Sequence, residues 1–183
     1  LKFMKGDEMV SLWRSARVAL GIIVAASLLL AASPPASAAG NTAPDFTLRD
    51  INGASVTLSS LKGTVVLVNF WATWCGPCKQ EMPHLDAMEK ELGSQGFKVL
   101  SISTDDARAA SKVKPYIKSR GYGFTVLLDK DTSVVSQYNP GKSLPYSALI
   151  DRSGKIHQVF KGYKPGEEVH LRAEVKKLVD SGQ

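Results

Sequence analysis

The sequence predicts an α/β domain in which a mixed β-sheet is flanked by helices. Residues 65–70 (VVLVNF) form an apolar run that is typical of a central strand buried on both faces. Met82, Leu85, Met88 and Leu92 then recur at helical spacing, so we expect a helix that packs on this strand. The 183 residues, 44% of them hydrophobic and 22% charged, are ordinary for one globular domain with a short extension. Alternating strands and helices favour a sheet covered by helices.

A β-hairpin is predicted before the central strand. Asn52-Gly53 separates two apolar stretches, residues 43–48 and 56–58, and Asn-Gly in this setting is a strong signal for a tight turn. Residues 58–63 are typical of a short helical turn that ends at a glycine. The hairpin would therefore extend the central sheet on its N-terminal side.

The rest of the chain continues the alternation of strands and helices. Further strands are predicted at residues 99–103, 124–128, 146–150 and 155–161. Helices are predicted at residues 75–92, 108–119, 132–138 and 167–180. In the last of these helices the apolar residues share one face, which indicates packing on the sheet.

The two cysteines of the chain, Cys75 and Cys78, directly follow the predicted central strand. Residues three apart on a helix have Cβ atoms about 5–6 Å apart, and a disulfide needs about 3.5–4.5 Å. A small adjustment of the first helical turn therefore lets the pair open and close. The unpaired N–H groups and the dipole of a helix N-terminus favour a thiolate at Cys75. We predict thiol–disulfide exchange, with Cys75 as the attacking thiolate and Cys78, one turn deeper, as the resolving thiol.

The residues between the cysteines suit this chemistry. Gly76 has no side chain to obstruct an incoming disulfide, and Pro77 loses no helical hydrogen bond in a first turn. A closed zinc site would need four ligands, and the three histidines show no paired spacing, so no metal site is predicted. A purely structural disulfide across so short a loop would constrain the unfolded chain only weakly.

Residues 1–38 are typical of a secretory signal peptide. Residues 18–32 carry no charge, Arg14 and Arg17 precede them, and Ala36-x-Ala38 is a small-residue cleavage pattern. An uncleaved anchor is the second interpretation, although a membrane span needs about 20 apolar residues. Residues 39–183 would then be the exported domain, in the periplasm or at the extracytoplasmic face of the inner membrane, with membrane contact only through the N-terminal segment. The basic residues lack interleaved aromatics, which argues against nucleic-acid binding.

The residues around the dithiol resemble the active site of the thioredoxin superfamily, with the match centred on residues 71–79 (WATWCGPCK). The wider pattern is similar to the exported TlpA/ResA-like thiol–disulfide oxidoreductases of that superfamily. The wider match consists of residues 43–48, 61–63, 81–83, 145, 149–151 and 154–156. This resemblance implies a thioredoxin-like fold in which the hairpin is an N-terminal extension and the strand and helix at residues 124–138 are an insertion before a cis-proline.

The resemblance also implies a substrate site. Pro145 matches the cis-proline that faces the dithiol, and Leu144 before it would offer backbone groups to a bound client. Trp74 beside the dithiol would help to form an apolar docking surface, next to Gly76 and Pro77.

The resemblance leaves the proton acceptor for Cys78 open. Asn69 occupies the position where cytoplasmic thioredoxins keep a buried acid, and an amide cannot titrate. ResA-like members carry an acid in the loop after the next strand, where Asp106 matches best and Asp105 is adjacent. Asp106 is therefore the predicted catalytic acid/base, while a simple helix cap is the alternative for either aspartate.

The Gly-Pro insert resembles that of reducing thioredoxins rather than of DsbA-type oxidases. We therefore expect a disulfide reductase for client proteins, with no cofactor beyond the redox-active Cys75–Cys78 disulfide. Its electrons would come from a membrane thiol transporter of the DsbD/CcdA type, and its clients would serve cytochrome c maturation or copper-site assembly. The alternatives are a disulfide-forming oxidase, a Cu(I)-binding chaperone that uses the same thiols, and a peroxidase of the peroxiredoxin type, although in that family the cysteine sits in a different motif.

Overall fold

The computed structural model describes residues 41–182, so the predicted signal segment, residues 1–38, lies outside the described residues. The strands are β1 Thr47–Asp50, β2 Ser55–Thr57, β3 Val65–Trp71, β4 Phe97–Ser103, β5 Thr125–Leu128, β6 Tyr146–Ile150 and β7 Ile156–Lys161. The helices are α1 Gly76–Leu92, α2 Val113–Arg120, α3 Ser133–Tyr138 and α4 Glu167–Ser181. Short 3₁₀ turns occur at Leu58–Leu61, Gly93–Gln95 and Ala110–Lys112.

The strands form one mixed sheet in the order β2-β1-β5-β4-β3-β6-β7. In its middle, β3 pairs in parallel with β4 and antiparallel with β6. The predicted hairpin of β1 and β2 joins this sheet through β5, which pairs in parallel with β4 and antiparallel with β1. The predicted α/β, thioredoxin-like fold is confirmed, and the inserted strand is the link between the hairpin and the central strands.

The central strand is buried along its whole length because both faces of the sheet are covered. On one face, Leu67 and Trp71 belong to a core that includes buried residues of α1, α2 and α4. On the other face, Val68 and Phe70 pack in a second core with residues of α3 and of the hairpin segment. Alternate residues of β3 thus point into two different cores, which explains its apolar character.

The topology brings three chain segments to one edge of the sheet. Because β3 and β4 are parallel, the loops after Trp71 and after Ser103 leave the sheet at the same edge. Because β6 is antiparallel to β3, with Phe70 paired to Tyr146, the residue before β6 also lies at this edge. Pro145 therefore comes to the end of the sheet from which the dithiol loop departs.

The predicted element boundaries hold to within a few residues, and the largest difference is at α2. The sequence predicts one helix over residues 108–119, whereas the structure has a 3₁₀ turn at Ala110–Lys112 before α2 begins at Val113. Pro115 then lies in the first turn of α2, where its missing N–H has no helical partner to lose. Within residues 41–182, no helix has both the length and the apolar character required to cross a membrane.

Candidate active site

The dithiol lies at the N-terminus of α1 and is closed as a disulfide between Cys75 and Cys78, whose Cα atoms are 5.4 Å apart. Cys75 is the N-cap residue of this helix, and its Sγ accepts the backbone N–H of Cys78 at 3.3 Å. The same N–H is available to a thiolate when the disulfide opens. The geometry at the helix terminus is that required by the predicted attacking role of Cys75, which stays a prediction.

Exposure distinguishes the two sulfur-bearing residues only slightly. Cys75 is 5% exposed and Cys78 is 1% exposed, which is the order expected for an attacking and a resolving cysteine. The surface beside them is open, because a Cβ atom placed on Gly76 would have no atom within 4 Å. Trp74 is 71% exposed and is a large apolar side chain directly before Cys75. An approaching client thus meets an indole and an unobstructed backbone.

Asp105 holds the loop that leads to Cys75. Its carboxylate, 1% exposed, accepts hydrogen bonds from the Thr73 N–H at 2.8 Å, from the Thr73 hydroxyl at 2.6 Å and from the Ser103 hydroxyl at 2.8 Å. These bonds join the loop after β3 to the loop after β4. Asp105 therefore orders the loop before the dithiol, and its side-chain partners are Thr73 and Ser103 rather than the sulfur atoms.

Asp106, the predicted catalytic acid, has an exposed carboxylate that forms a local cap. Its Oδ1 accepts the backbone N–H groups of Arg108 at 3.0 Å and Ala109 at 2.9 Å. This is the capping arrangement that was the alternative for this residue. In the described part of the chain, the side-chain hydrogen bonds of Asp106 go to this turn only, and its role in proton transfer stays a prediction.

A groove borders the dithiol on the side of the cis-proline. The Leu144–Pro145 peptide is cis, as the resemblance implied. Leu144, Pro145 and Pro77 line a groove of about 320 Å³ together with Lys161, Gly162, Tyr163, Lys164 and Glu167. Three of the predicted substrate-binding residues thus meet in one groove, whereas Trp74 and Gly76 lie outside its lining. Within residues 41–182, the N–H and C=O of Leu144 make no backbone hydrogen bond, so both are available to an extended client segment.

The structure shows one acid that the sequence analysis did not assign, Glu81. It follows Cys78 by three residues in α1, so the two side chains are neighbours on the helix surface. Burial, with only 4% of the residue exposed, raises the pKa of the Glu81 carboxyl from 4.5 to about 7. The hydrogen bond from Asn69 lowers this pKa in part, and the negative charge of Glu167 raises it further. A carboxyl that titrates near neutral pH is suited to exchange protons with a thiol.

The Glu81 carboxyl is hydrogen-bonded to a polar side chain of the central sheet. Asn69 Nδ2 donates to Glu81 Oε2 at 3.1 Å and to Ser147 Oγ at 2.9 Å, and all three residues are buried. Asn69 therefore occupies the strand position expected for a buried acid and supports an acid that comes from the facing helix instead.

One sequence signal was available for Glu81. The core-facing positions of α1 include Cys78, Met82 and Leu85, and Glu81 lies on the same face beside them. A glutamate is seldom fully buried without a partner, so its place on an apolar helix face beside a redox cysteine marks a functional candidate.

The arrangement combines a helix-capping thiol, a buried second thiol, a nearby carboxyl and a groove for an extended chain. Together these groups are sufficient for exchange of a disulfide with a client, because the two thiols carry both electrons and give them up when the Cys75–Cys78 disulfide forms. Residues 41–182 contain no group of three or more His, Cys, Asp or Glu side chains placed to hold a metal ion.

Comparison with known proteins supports the same chemistry. The AhpC/TSA family model matches residues 39–173. The thiol-disulfide oxidoreductase ResA of Bacillus subtilis (strain 168) is 38% identical over 131 residues, which are 72% of this chain and 72% of the relative. A thiol:disulfide interchange protein of the thioredoxin family from Chlorobium tepidum TLS matches with a TM-score of 0.68 and 29% identity, over 79% of this chain and 99% of that chain.

A second solved structure extends this comparison. The pneumococcal exposed lipoprotein thioredoxin from Streptococcus pneumoniae strain TIGR4 matches with a TM-score of 0.63 and 28% identity, over 74% of this chain and 100% of that chain. The region matched by the family model, residues 39–173, contains the dithiol, Glu81 and the cis-proline. The chain belongs to the AhpC/TSA family and is a ResA-like thiol–disulfide oxidoreductase of the thioredoxin superfamily.

Proposed function

We propose that this oxidoreductase is an exported disulfide reductase, which passes two electrons from Cys75 and Cys78 to disulfides of client proteins. The observation that carries the direction is the environment of the Cys75 sulfur. Among the described residues, its hydrogen-bond donor is one backbone N–H, and no Lys, Arg or His side chain donates to it. A thiolate with this limited support makes the reduced form less stable and the protein more reducing.

Burial acts in the same direction. Cys75 is nearly buried, and the Glu81 carboxyl lies one helical turn beyond Cys78. Desolvation and a nearby negative charge both disfavour a thiolate. We therefore expect a reduction potential nearer the value of about −270 mV for thioredoxin than that of about −120 mV for DsbA.

The reaction begins when the Cys75 thiolate attacks one sulfur of the client disulfide. The client disulfide breaks, a mixed disulfide forms, and the first client thiolate leaves. Cys78 then loses its proton to the Glu81 carboxylate and attacks Cys75 Sγ. The mixed disulfide breaks, the second client thiolate leaves, and the Cys75–Cys78 disulfide forms. Two electrons have passed to the client, and the two released thiolates take up protons according to the pH.

The proton on Glu81 has a path to solvent. Glu81 lines a cavity of about 260 Å³ between β7 and α4, whose walls include Tyr163, Glu167 and His170. This cavity lies beside the client groove, because Lys161, Gly162, Tyr163 and Glu167 line both. Client binding and proton release therefore use adjoining surfaces.

The site of action and the partners are part of the proposal. Export is supported by the signal pattern in residues 1–38 and by the name of one structural relative, an exposed lipoprotein thioredoxin. In the periplasm, a membrane thiol transporter of the DsbD/CcdA type would reduce the disulfide again after each turnover. Clients would be proteins whose cysteines must be reduced before haem attachment or copper insertion. No cofactor besides the Cys75–Cys78 disulfide is required.

Two measurements test the proposal. Equilibration with glutathione and dithiothreitol buffers gives the reduction potential, and a value near that of DsbA would establish an oxidase instead. Trapping identifies the attacking thiol: Cys78→Ala should accumulate mixed disulfides with clients of the exported fraction through Cys75, with Cys75→Ala as the matched control. Trapping by Cys75→Ala alone would reverse the assigned roles. Stoichiometric Cu(I) binding without disulfide exchange would favour the chaperone alternative.

A further inference from the structure

We propose that Asn69 is a positioning residue, which holds the Glu81 carboxyl beneath Cys78, and that Ser147 keeps the Asn69 amide in place. The inference rests on the proposed function of Glu81 as acceptor of the Cys78 proton. It assigns two residues of the sheet to the step that resolves the mixed disulfide. Neither residue forms a hydrogen bond with the reacting sulfur atoms.

The placement of these residues follows from the register of the sheet. Asn69 of β3 lies opposite Ser147 of β6 and opposite Ser101 of β4. Paired residues of neighbouring strands project from the same face of a sheet, so all three side chains point toward α1. The Glu81 side chain extends from α1 toward Asn69, the middle one of these three residues. Asn69 and Ser147 are 78 residues apart in sequence and meet only through strand pairing.

Both hydrogens of the Asn69 amide are used. One goes to Glu81 Oε2 and the other to Ser147 Oγ, while Asn69 Oδ1 has no partner among the described residues. An ionised carboxylate accepts hydrogen bonds only, so it requires the amide nitrogen on its side. Because the second amide hydrogen is held by Ser147, a rotation of Asn69 away from Glu81 would break two buried hydrogen bonds.

Glu81 has an alternative direction that Asn69 prevents. The carboxyl borders the cavity between β7 and α4, which is larger than a water molecule needs and is open toward solvent. Without the Asn69 donor, the hydrogen bond that holds the carboxyl on the side of the sheet is lost, and the side chain is no longer fixed beneath Cys78. Asn69 thus holds the Glu81 carboxyl on the side of Cys78, from which the proton must be taken.

Charged and polar groups around Glu81 also affect its ionisation. The cavity is lined by Glu167, Glu168 and His170 of α4, by Lys161 of β7 and by Tyr163 of the connecting loop. The negative charge of Glu167 raises the pKa of Glu81, whereas the Asn69 hydrogen bond lowers it. Loss of Asn69 therefore removes a group that favours the ionised, proton-accepting form and leaves the acidic neighbours in place.

The test follows resolution of a mixed disulfide with the full chain and dithiobis(nitrobenzoate), a chromogenic aromatic disulfide. Attack by Cys75 releases the first nitrothiobenzoate anion, and attack by Cys78 releases the second in a later phase. The rate of the second phase against pH gives the midpoint of the group that takes the proton. For Asn69→Ala we expect this midpoint to rise by about one pH unit, so that the rate at neutral pH falls about fivefold. Ser147→Ala should move the midpoint in the same direction by less.

The chain offers a matched control in Ser101. Ser101 flanks Asn69 on the other side, is equally buried and has a hydroxyl without a hydrogen-bond partner among the described residues. Ser101→Ala should therefore leave the midpoint where it is in the unmodified protein. A shift in Ser101→Ala as large as that in Ser147→Ala would refute the part assigned to Ser147.

The outcomes separate the inference from the function on which it rests. If Glu81→Gln removes the midpoint and Asn69→Ala leaves it unchanged, the positioning role is refuted while the role of Glu81 stands. If Glu81→Gln itself leaves the midpoint unchanged, the proposed proton step is wrong. Asn69→Leu, which has the same branching at Cγ and no donor, replaces Asn69→Ala if the smaller side chain prevents folding, and the same shift is expected.

Discussion

Replacement of Glu81 by Gln should stabilise the folded protein at neutral pH while it slows the enzyme. Glutamine keeps the shape of the side chain, and its carbonyl oxygen can still accept the hydrogen bond from Asn69 Nδ2. The substitution removes only the ability to ionise. The stability of the disulfide-closed form then reports the cost of charging this one buried group, because the cysteines do not titrate in that form.

The magnitude follows from the raised pKa of Glu81. Folding moves this pKa from 4.5 to about 7, so the folded protein binds the proton more tightly than the unfolded chain. Stability from this group is fully present below pH 4.5 and is lost as the pH rises toward 7 and above. With 1.36 kcal/mol for each pKa unit, the loss amounts to about 3 kcal/mol. Glu81→Gln should lack this decline.

The assay is urea unfolding of the oxidised protein at several pH values between about 4 and 8, for the unmodified chain and the variant. The difference in the free energy of unfolding should grow in favour of Glu81→Gln by about 3 kcal/mol across that range. Glu91→Gln, at an exposed carboxyl on the same helix, is the control and should retain the decline of the unmodified protein.

A difference in the free energy of unfolding that stays constant across this pH range would refute the reasoning. It would show that ionisation of Glu81 does not destabilise the folded protein. The functional counterpart uses the same variant. Loss of a general base costs about 10²–10⁴-fold in rate, so resolution of the mixed disulfide should slow by about 100-fold or more at neutral pH.

Other substitutions test the loop, the docking surface and the second core. Asp105→Ala should lower the free energy of unfolding by about 3 kcal/mol, because it leaves the buried Ser103 hydroxyl and two partly buried donors of Thr73 without an acceptor. Asp106→Ala, which loses only a cap, should cost about 1 kcal/mol. Equal losses of the two variants in urea unfolding would contradict these different roles. Asp106→Ala should also leave the pH profile of resolution unchanged if Glu81 is the base. Trp74→Ala should change stability by less than about 0.5 kcal/mol, since the indole is exposed, yet slow the attack on a protein client by about tenfold, with a small aromatic disulfide as the unaffected comparison. Tyr138→Phe should lower the free energy of unfolding by about 1 kcal/mol, because it loses a 2.6 Å hydrogen bond to a backbone carbonyl. An unchanged urea concentration at the unfolding midpoint would show that this bond does not contribute to stability.

Most elements of the fold could be predicted because their signals are local. The apolar run of β3, the Asn52-Gly53 turn and the helical spacing of α1 each depend on residues within a few positions of one another. The division of the predicted helix at residues 108–119 shows the limit of such signals. Apolar spacing continues through that segment, but the placement of Pro115 in the first turn determines where α2 begins.

The residues of the candidate site also differ in how far the sequence could predict them. Cys75 and Cys78 were predicted because a dithiol at a helix N-terminus is a local pattern, and the groove residues Leu144 and Pro145 followed from the resemblance. The acid was more difficult. Asp106 was preferred for its position after a strand, and the structure shows its carboxylate in a surface cap, whereas Glu81 is the carboxyl that is buried beside Cys78.

The sequence by itself determined the reaction type, since two cysteines at helical spacing after a buried strand permit a reversible disulfide. Only the tertiary structure shows which acid is buried beside that disulfide. The pKa of a carboxyl depends on burial and on neighbours that are distant in sequence, and Glu81 acquires both when strand pairing brings Ser147 beside Asn69 and α1 covers them. Spacing along the chain allows the two thiols to form a disulfide, and packing across the sheet sets the pKa of the carboxyl next to them.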